Sequence, residues 1–280
     1  MKKKRSIHWL SQLPIYGFLI GYLLFTVVPI YWVFATSFKP STEVMSFPPT
    51  LLPHTLSLEN YVAVFTQTHL GRGVVNSLIV SLVTTALALF IAALAAYSFT
   101  RFRFRGKYFL LNTVLGLYLI PPLIGIIPLF LLFNKLGLLN NLFGLALAYQ
   151  SLVLPLLTFM LRNYFEGIPV EIEEAAMIDG CSQLEVLRRI TLPLAVPGLA
   201  TAAIFAFIFS WNEFVIALTL LLREDLKTVQ LVIMEFVKLH RIEWGQLTAA
   251  MVVGMVPVLI VIIFAQRYLI SGLLGGATKS

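Results

Sequence analysis

The stretch Glu174-Ala175-Ala176-Met177-Ile178-Asp179-Gly180, followed after nine residues by Ile190-Thr191-Leu192-Pro193, decides how this chain is read. It is a compact charged insert between long hydrophobic runs, and it spells E-A-A-x3-G-x9-I-x-L-P. Pro169 can open a helix because the first turn has no partner for an amide there, and Glu171, Glu173 and Glu174 follow where the helix dipole favours carboxylates. Gly180 suits a left-handed stop. Ser182-Gln183-Leu184-Glu185 has the spacing of a capping box and starts a second helix, predicted to end before Pro193. The polar segment 162–197 therefore reads as helix, glycine turn, helix.

On the first of these helices, 100° per residue sets Glu171, Glu174, Ala175 and Ile178 along one stripe. That face is acidic at one end, small in the middle and apolar at the other. Either it docks a partner, with Glu174 meeting a basic side chain and Ile178 burying apolar area, or it is a solvated helix stabilised by its own charges.

The surroundings of the insert are those of a membrane protein. Hydrophobic residues make up 59% of the chain and charged residues 12%, with a mean hydropathy of +0.91, whereas soluble domains average roughly a quarter charged residues. A membrane-spanning helix needs about 20 mainly apolar residues. Such windows lie at 11–36, 74–97, 108–133, 142–161, 198–222 and 248–269, predicting an all-α polytopic membrane protein of six transmembrane helices in one domain over 1–280. Little sequence is left for a soluble catalytic fold. The basic start Met1-Lys2-Lys3-Lys4-Arg5 looks like the head of a signal peptide, but the apolar run Leu13 to Ala35 is too long for one and no small-x-small cleavage pattern closes it, so it reads as a retained anchor.

Cations concentrate beside alternate loops. Lys2, Lys3, Lys4, Arg5, Arg101, Arg103, Arg105, Lys107, Arg162, Arg188, Arg189, Arg267 and Lys279 are thirteen of the twenty. By the positive-inside rule both termini and the 162–197 loop face the cytoplasm, with loops near 37–73, 134–141 and 223–247 outside. The same rule accounts for Arg101-Phe102-Arg103-Phe104-Arg105-Gly106-Lys107 and for the net charge of +7 without nucleic acid. Two outer segments, from Leu56 to Tyr61 and from Arg223 to Gln246 with Val229, Leu231, Val232, Phe236 and Val237 at near-helical spacing, are expected to pack on the outer surface.

No catalytic site emerges. The lone cysteine, Cys181, excludes an internal disulfide and a cysteine metal cluster. His8, His54, His69 and His240 have no metal-ligand spacing. The tail Gly272 to Ser280 ends in Lys-Ser but has Thr278 where a phosphate-binding loop needs glycine.

The insert resembles the EAA loop of ATP-binding-cassette importer permeases. Thr36-Ser37-Phe38-Lys39-Pro40, Glu59-Asn60-Tyr61, Asn76-Ser77, Ser210-Trp211-Asn212-Glu213-Phe214 and Gln266-Arg267-Tyr268 extend the resemblance to maltose-type carbohydrate permease subunits. The resemblance implies half of a translocation pore in a bacterial plasma (inner) membrane. It further implies a second permease subunit as heterodimer partner, two separate ATPase subunits that bind the ATP and magnesium, and an extracytoplasmic solute-binding protein. This chain is then expected to be no enzyme and to hold no cofactor or metal. The coupling residues it implies are Glu174, Ala175, Ala176, Ile178, Asp179, Gly180, Ile190, Leu192 and Pro193.

Polar groups in hydrocarbon are costly and mark function by default. Trp211, Asn212 and Glu213 offer the stacking, amide and carboxylate that recognise sugars, and Tyr149, Gln150 and Tyr118 can line the same cavity. Alternatively, Asn212 and Glu213 bridge to a partner permease or to the outer surface. Ser77, Ser81, Thr84 and Thr85 read as interhelical or back-bonded hydroxyls, and Pro121, Pro122 and Pro128 as kinks. With no Lys or Arg mid-span, a neutral solute fits better than a glycerol-phosphate compound. A secondary transporter driven by an ion gradient would rest on the single acid Glu213.

Overall fold

A computed structural model describes residues 5–238 and 241–277. Lys2, Lys3, Lys4, His240 and the Thr278-Lys279-Ser280 end of the tail lie outside the described residues, as do the side chains of Arg5, His8, Arg267 and Tyr268.

Four described helices are long and apolar enough to cross a membrane, and six spans result if each of two bent helix pairs counts as one. The long helices are α1 (Arg5–Ser37), α4 (Leu70–Arg101), α7 (Leu142–Glu166) and α14 (Trp244–Ala277). Between the first two come the short α2 (Ser41–Val44) and α3 (Glu59–Thr66). The predicted span 108–133 is instead two helices, α5 (Lys107–Tyr118) and α6 (Pro122–Lys135), bent by 98°. Pro121 and Pro122 have no amides to continue the ladder, so the chain turns there, whereas Pro128 is carried inside α6.

The predicted span 198–222 is also broken. It forms α11 (Val196–Asn212) and α12 (Val215–Leu220), separated at Glu213-Phe214. Preceding it, in the polar insert, are α8 (Val170–Ile178), α9 (Gln183–Val186), a π-helical turn (Leu187–Thr191) and α10 (Leu192–Leu194). The second loop helix thus runs through Pro193 and does not stop before it. Leu192 N–H donates to Leu187 O, five residues back, and this widened turn carries the helix into the proline. A 78° bend then separates it from α11. In the 223–247 segment, α13 (Val229–Met234) covers part of the expected helical pattern. The remainder contains β1 (Val237–Lys238) and β2 (Arg241–Ile242), whose antiparallel pairing is a small departure from an all-helical chain.

The chain divides into two compact units. One contains residues up to Thr68 with Ile233–Val253. Here the Asn60 amide donates to Ser37 O (3.1 Å) and Lys39 O (2.8 Å), and Tyr61 Oη lies 2.8 Å from Ser37 Oγ. Gly245 is required beside Asn60, since a Cβ would come within 2.5 Å of its Oδ1. The Glu59-Asn60-Tyr61 motif is therefore a latch on the turn after α1. On α1, apolar side chains from Ile15 to Phe34 are exposed, the surface that a lipid-facing or subunit-facing helix presents.

The other unit contains His69–Val232 and the chain from Gly254 on. Its core is the packing of α4 on α7 and α11. Ala88, Ala92 and Ala96 repeat every fourth residue on α4 and let Val153, Leu157, Leu161 and Phe165 approach closely. Asn76 donates to Asp225 O and Lys227 O (3.1 and 3.0 Å), and Ser77 Oγ accepts from Val229 N–H at 2.8 Å. Thr85 bonds back to Ser81 O at 2.7 Å. Asn141 caps α7 by accepting from the amides of Phe143 and Gly144.

Candidate functional site

The polar insert folds as its capping residues dictate. Pro169 precedes α8, whose first turn carries Glu171 and Glu173. At the far end Gly180 takes φ +95°. Gly180 N–H donates to Met177 O and Cys181 N–H to Ala176 O, the paired bonds of a Schellman stop. The capping box also forms. Ser182 N–H donates to Glu185 Oε2 (3.0 Å) and Glu185 N–H to Ser182 Oγ (3.4 Å). The Ser182 amide and hydroxyl, with Arg189 nearby, hold the Glu185 carboxyl below its ordinary range.

α8 has two faces with different duties. Glu171, Glu174, Ala175 and Ile178 are exposed, Ile178 at 87%. The opposite face is buried by Glu173, 2% exposed, and Ala176. Glu173 is gripped by the last residue of α4. Arg101 Nε donates to Glu173 Oε2 (2.7 Å) and Nη2 to Oε1 (3.0 Å). The same Nη2 donates to Phe165 O (3.0 Å) and Ile168 O (3.1 Å), carbonyls at the end of α7. Thr191 Oγ1, in the π-turn, donates to Glu173 Oε1 at 2.8 Å. One guanidinium and one carboxylate therefore join α4, α7, α8 and the π-turn. Beneath them Phe165, Ile168 and Leu187 belong to the hydrophobic core shared with α4 and α11.

The other predicted site residues are distributed unevenly. Trp211 is 1% exposed, stacks on Phe207 with ring centroids 5.7 Å apart, and donates Nε1–H to Gly254 O at 3.1 Å. Glu213 is not in mid-helix. It occupies the α11–α12 break, where its carboxylate accepts from the amides of Ile216 (2.8 Å) and Ala217 (3.1 Å). Asn212 is exposed, its amide turned back onto Ile208 O. Tyr149 is fully buried, its hydroxyl without a hydrogen bond but within electrostatic reach of Glu213. Gln150 donates to Ala146 O (3.0 Å) and Thr84 O (3.3 Å), while its Oε1 has no partner. Tyr118 is exposed at the end of α5. The structure thus brings Tyr149 toward Glu213 and leaves Asn212 and Tyr118 on the surface. Among the described residues no group of three or more His, Cys, Asp or Glu could hold a metal ion.

Residues 88–274 match the family described as binding-protein-dependent transport system inner membrane component. The chain belongs to that family. This permease is 37% identical to the sulfoquinovosyl glycerol transport system permease protein of Agrobacterium fabrum, over 90% of this chain and 88% of the relative. It is 32% identical to the trehalose transport system permease protein of Mycobacterium tuberculosis, over the full length of both. A diacetylchitobiose uptake system permease protein of Streptomyces coelicolor is also 32% identical, over 90% of this chain and 92% of that one. Among solved structures, a bacterial ABC transporter involved in import of the acidic polysaccharide alginate matches with a TM-score of 0.81 and 25% identity, covering 96% of this chain and 98% of that one. This permease is thus a multi-pass protein of the inner-membrane component family.

Within the permease, sequence reasoning located the loop, its two helices and its outward stripe. It took Arg101 for an orientation signal and Glu173 for a dipole partner, and so missed their pairing. A signal existed on one side only: Glu173 and Ala176, three apart, share the face opposite the stripe. Of the residues expected to couple, Ala176 turns inward, Ile190 and Leu192 are half-buried, and Asp179, Gly180 and Pro193 are exposed.

Proposed function

We propose that this chain is a sugar or oligosaccharide permease subunit whose α8–α9 loop docks into an ATPase subunit on the cytoplasmic side. The observation that carries this reading is the stripe of Glu174, Ala175 and Ile178. It is exposed on a helix whose other face is locked to the transmembrane core. A solvated helix has no need of an 87% exposed isoleucine; a socket does. Permeases for sulfoquinovosyl glycerol, trehalose and diacetylchitobiose among its relatives support a carbohydrate substrate. The absence of Lys and Arg from the middles of the spans favours a neutral one.

In this reading the chain forms half of a pore with a second permease subunit, receives substrate from a solute-binding protein, and hydrolyses no ATP itself. Both termini are cytoplasmic, as the cation distribution favours. Closure of two ATPase subunits moves α8 and rocks the spans as rigid bodies, alternating access to the pore. Glu213, Asn212 and Tyr118 contribute to the substrate path, and the buried Tyr149, Gln150 and Trp211 pack its wall. Glu213 already accepts two backbone amides, which leaves little for an ion-coupled acid to do.

The test is uptake of labelled oligosaccharide by proteoliposomes containing the assembled transporter. Uptake that requires ATP on the ATPase side and survives an ionophore is expected. Uptake without ATP that collapses with the ion gradient would replace this reading with a secondary transporter.

A further inference from the structure

The coupling loop must pass a displacement to the spans, and its backbone is poorly suited to do so alone. It is interrupted by the Gly180 turn, by the π-turn and by the bend at Ala195. Side chains supply a shorter route. Arg101 is the last residue of α4, only 11% exposed, and its planar fork is bidentate to Glu173. Its Nη2 also holds the carbonyls of Phe165 in α7 and Ile168 just beyond it, and Glu173 in turn holds Thr191. These contacts fix α8, the π-turn and the ends of α4 and α7 around a single ion pair.

We propose that Arg101 and Glu173 form the rigid link that carries movement of the docking helix into α4 and α7, so that they are positioning residues for transport and not part of the docking surface. The inference rests on the reading of α8 as the ATPase-docking helix. The neighbouring acids divide the work: Glu174 faces the partner, and Glu173 faces the transmembrane core. A lysine at 101 would keep the charge but lose the fork that spans carboxylate and carbonyls together. If the pair is lost, the ATPase still docks and still cycles, but its stroke is absorbed in a loosened loop.

The test uses the complete transporter and reads substrate imported per ATP hydrolysed. Glu173→Gln and Arg101→Lys are expected to assemble with the ATPase, retain hydrolysis, and lower that ratio by about tenfold, in the range of ordinary coupling free energies. An unchanged ratio in either assembled variant overturns the proposal. If neither assembles, Thr191→Val decides, since it deletes only the hydroxyl bond to Glu173 and keeps the side-chain shape. Its ratio should fall about threefold, and an unchanged ratio overturns the link. Glu174→Lys separates this idea from the docking reading. Loss of ATPase association there with an intact ratio in the Glu173 variants sinks the link alone. Normal association and uptake in the Glu174 variant sinks the docking.

Discussion

Arg101 Nε lies 2.7 Å from Glu173 Oε2, and the two side chains are 11% and 2% exposed. An ion pair so withdrawn gives modest net stability when intact but is costly to break, because the surviving charge keeps its desolvation. Glu173→Ala should therefore destabilise the permease by about 3–5 kcal/mol. Glu174→Ala, one residue away on the exposed face, should change stability by less than about 0.5 kcal/mol. Thermal unfolding in detergent compares the two, and equal losses would contradict the division of faces on α8.

Ile178 and Glu174 give a matched pair of docking predictions. Glu174→Lys should abolish uptake and ATPase co-purification while membrane insertion stays normal. Ile178→Ala should weaken association by about 1–3 kcal/mol, the scale of a buried aliphatic side chain. Pull-down from detergent against membrane-inserted protein checks both, and wild-type recovery of the ATPase with either variant removes that residue from the interface.

Gly180 sits at φ +95° with nothing within 4 Å of a built Cβ, so a side chain there meets backbone strain and not crowding. Gly180→Ala should cost about 1–2 kcal/mol, and Gly180→Asn, which tolerates the left-handed region, should cost less. Gly198→Ala should be worse for a different reason, since its Cβ would fall 2.5 Å from the Tyr164 ring. Ranking the three by unfolding midpoint tests the assignment.

The Glu185 carboxyl is held low by the Ser182 amide first and the Ser182 hydroxyl second. A lowered carboxyl stabilises the fold above its unfolded value, about pH 4.3, and that contribution disappears as the pH drops through the folded value. Protection factors in residues 183–186, with exchange taken relative to its intrinsic rate at each pH, should thus fall on acidification through that window in the wild type. In Ser182→Ala they should already be low at neutral pH. Protection that is flat with pH in the wild type would dismiss the cap as a source of loop stability.

Tyr149 is buried with an unbonded hydroxyl, so removing the oxygen leaves no partner stranded. Tyr149→Phe should fold at wild-type levels and leave the apparent KM for sugar uptake unchanged, because the hydroxyl is buried out of a substrate's reach. A raised KM would show that transport opens this packing and brings the hydroxyl to the sugar.

What was legible in the sequence was local. Pro169, Gly180 and the Ser182-Glu185 box specify their own backbone, and each appears as its chemistry requires. Long apolar runs announced the helices, and Pro121-Pro122, which reads as a kink, makes a 98° bend, because two consecutive residues without N–H groups cannot be bridged. Glu213 looked intramembrane in a continuous helix and instead caps the next one. The Arg101–Glu173 pair spans 72 residues of sequence, and no periodicity reports a contact at that separation. The motifs Glu59-Asn60-Tyr61 and Asn76-Ser77, which carry part of the family resemblance, prove to be backbone latches.

The π-turn at Leu187–Thr191 gives the nine-residue interval between Gly180 and Ile190 a meaning as helical phase. Each residue added to or removed from a helix rotates everything beyond it by about 100°. The widened turn takes up one residue of that rotation, and Thr191 within it meets Glu173. Losing one residue here can be met by closing the widened turn to a regular helix, whereas gaining one has no such outlet and would swing the approach to α11 away. The length of the loop is thus a setting of angle, and residues within it are freer to change in kind than in number.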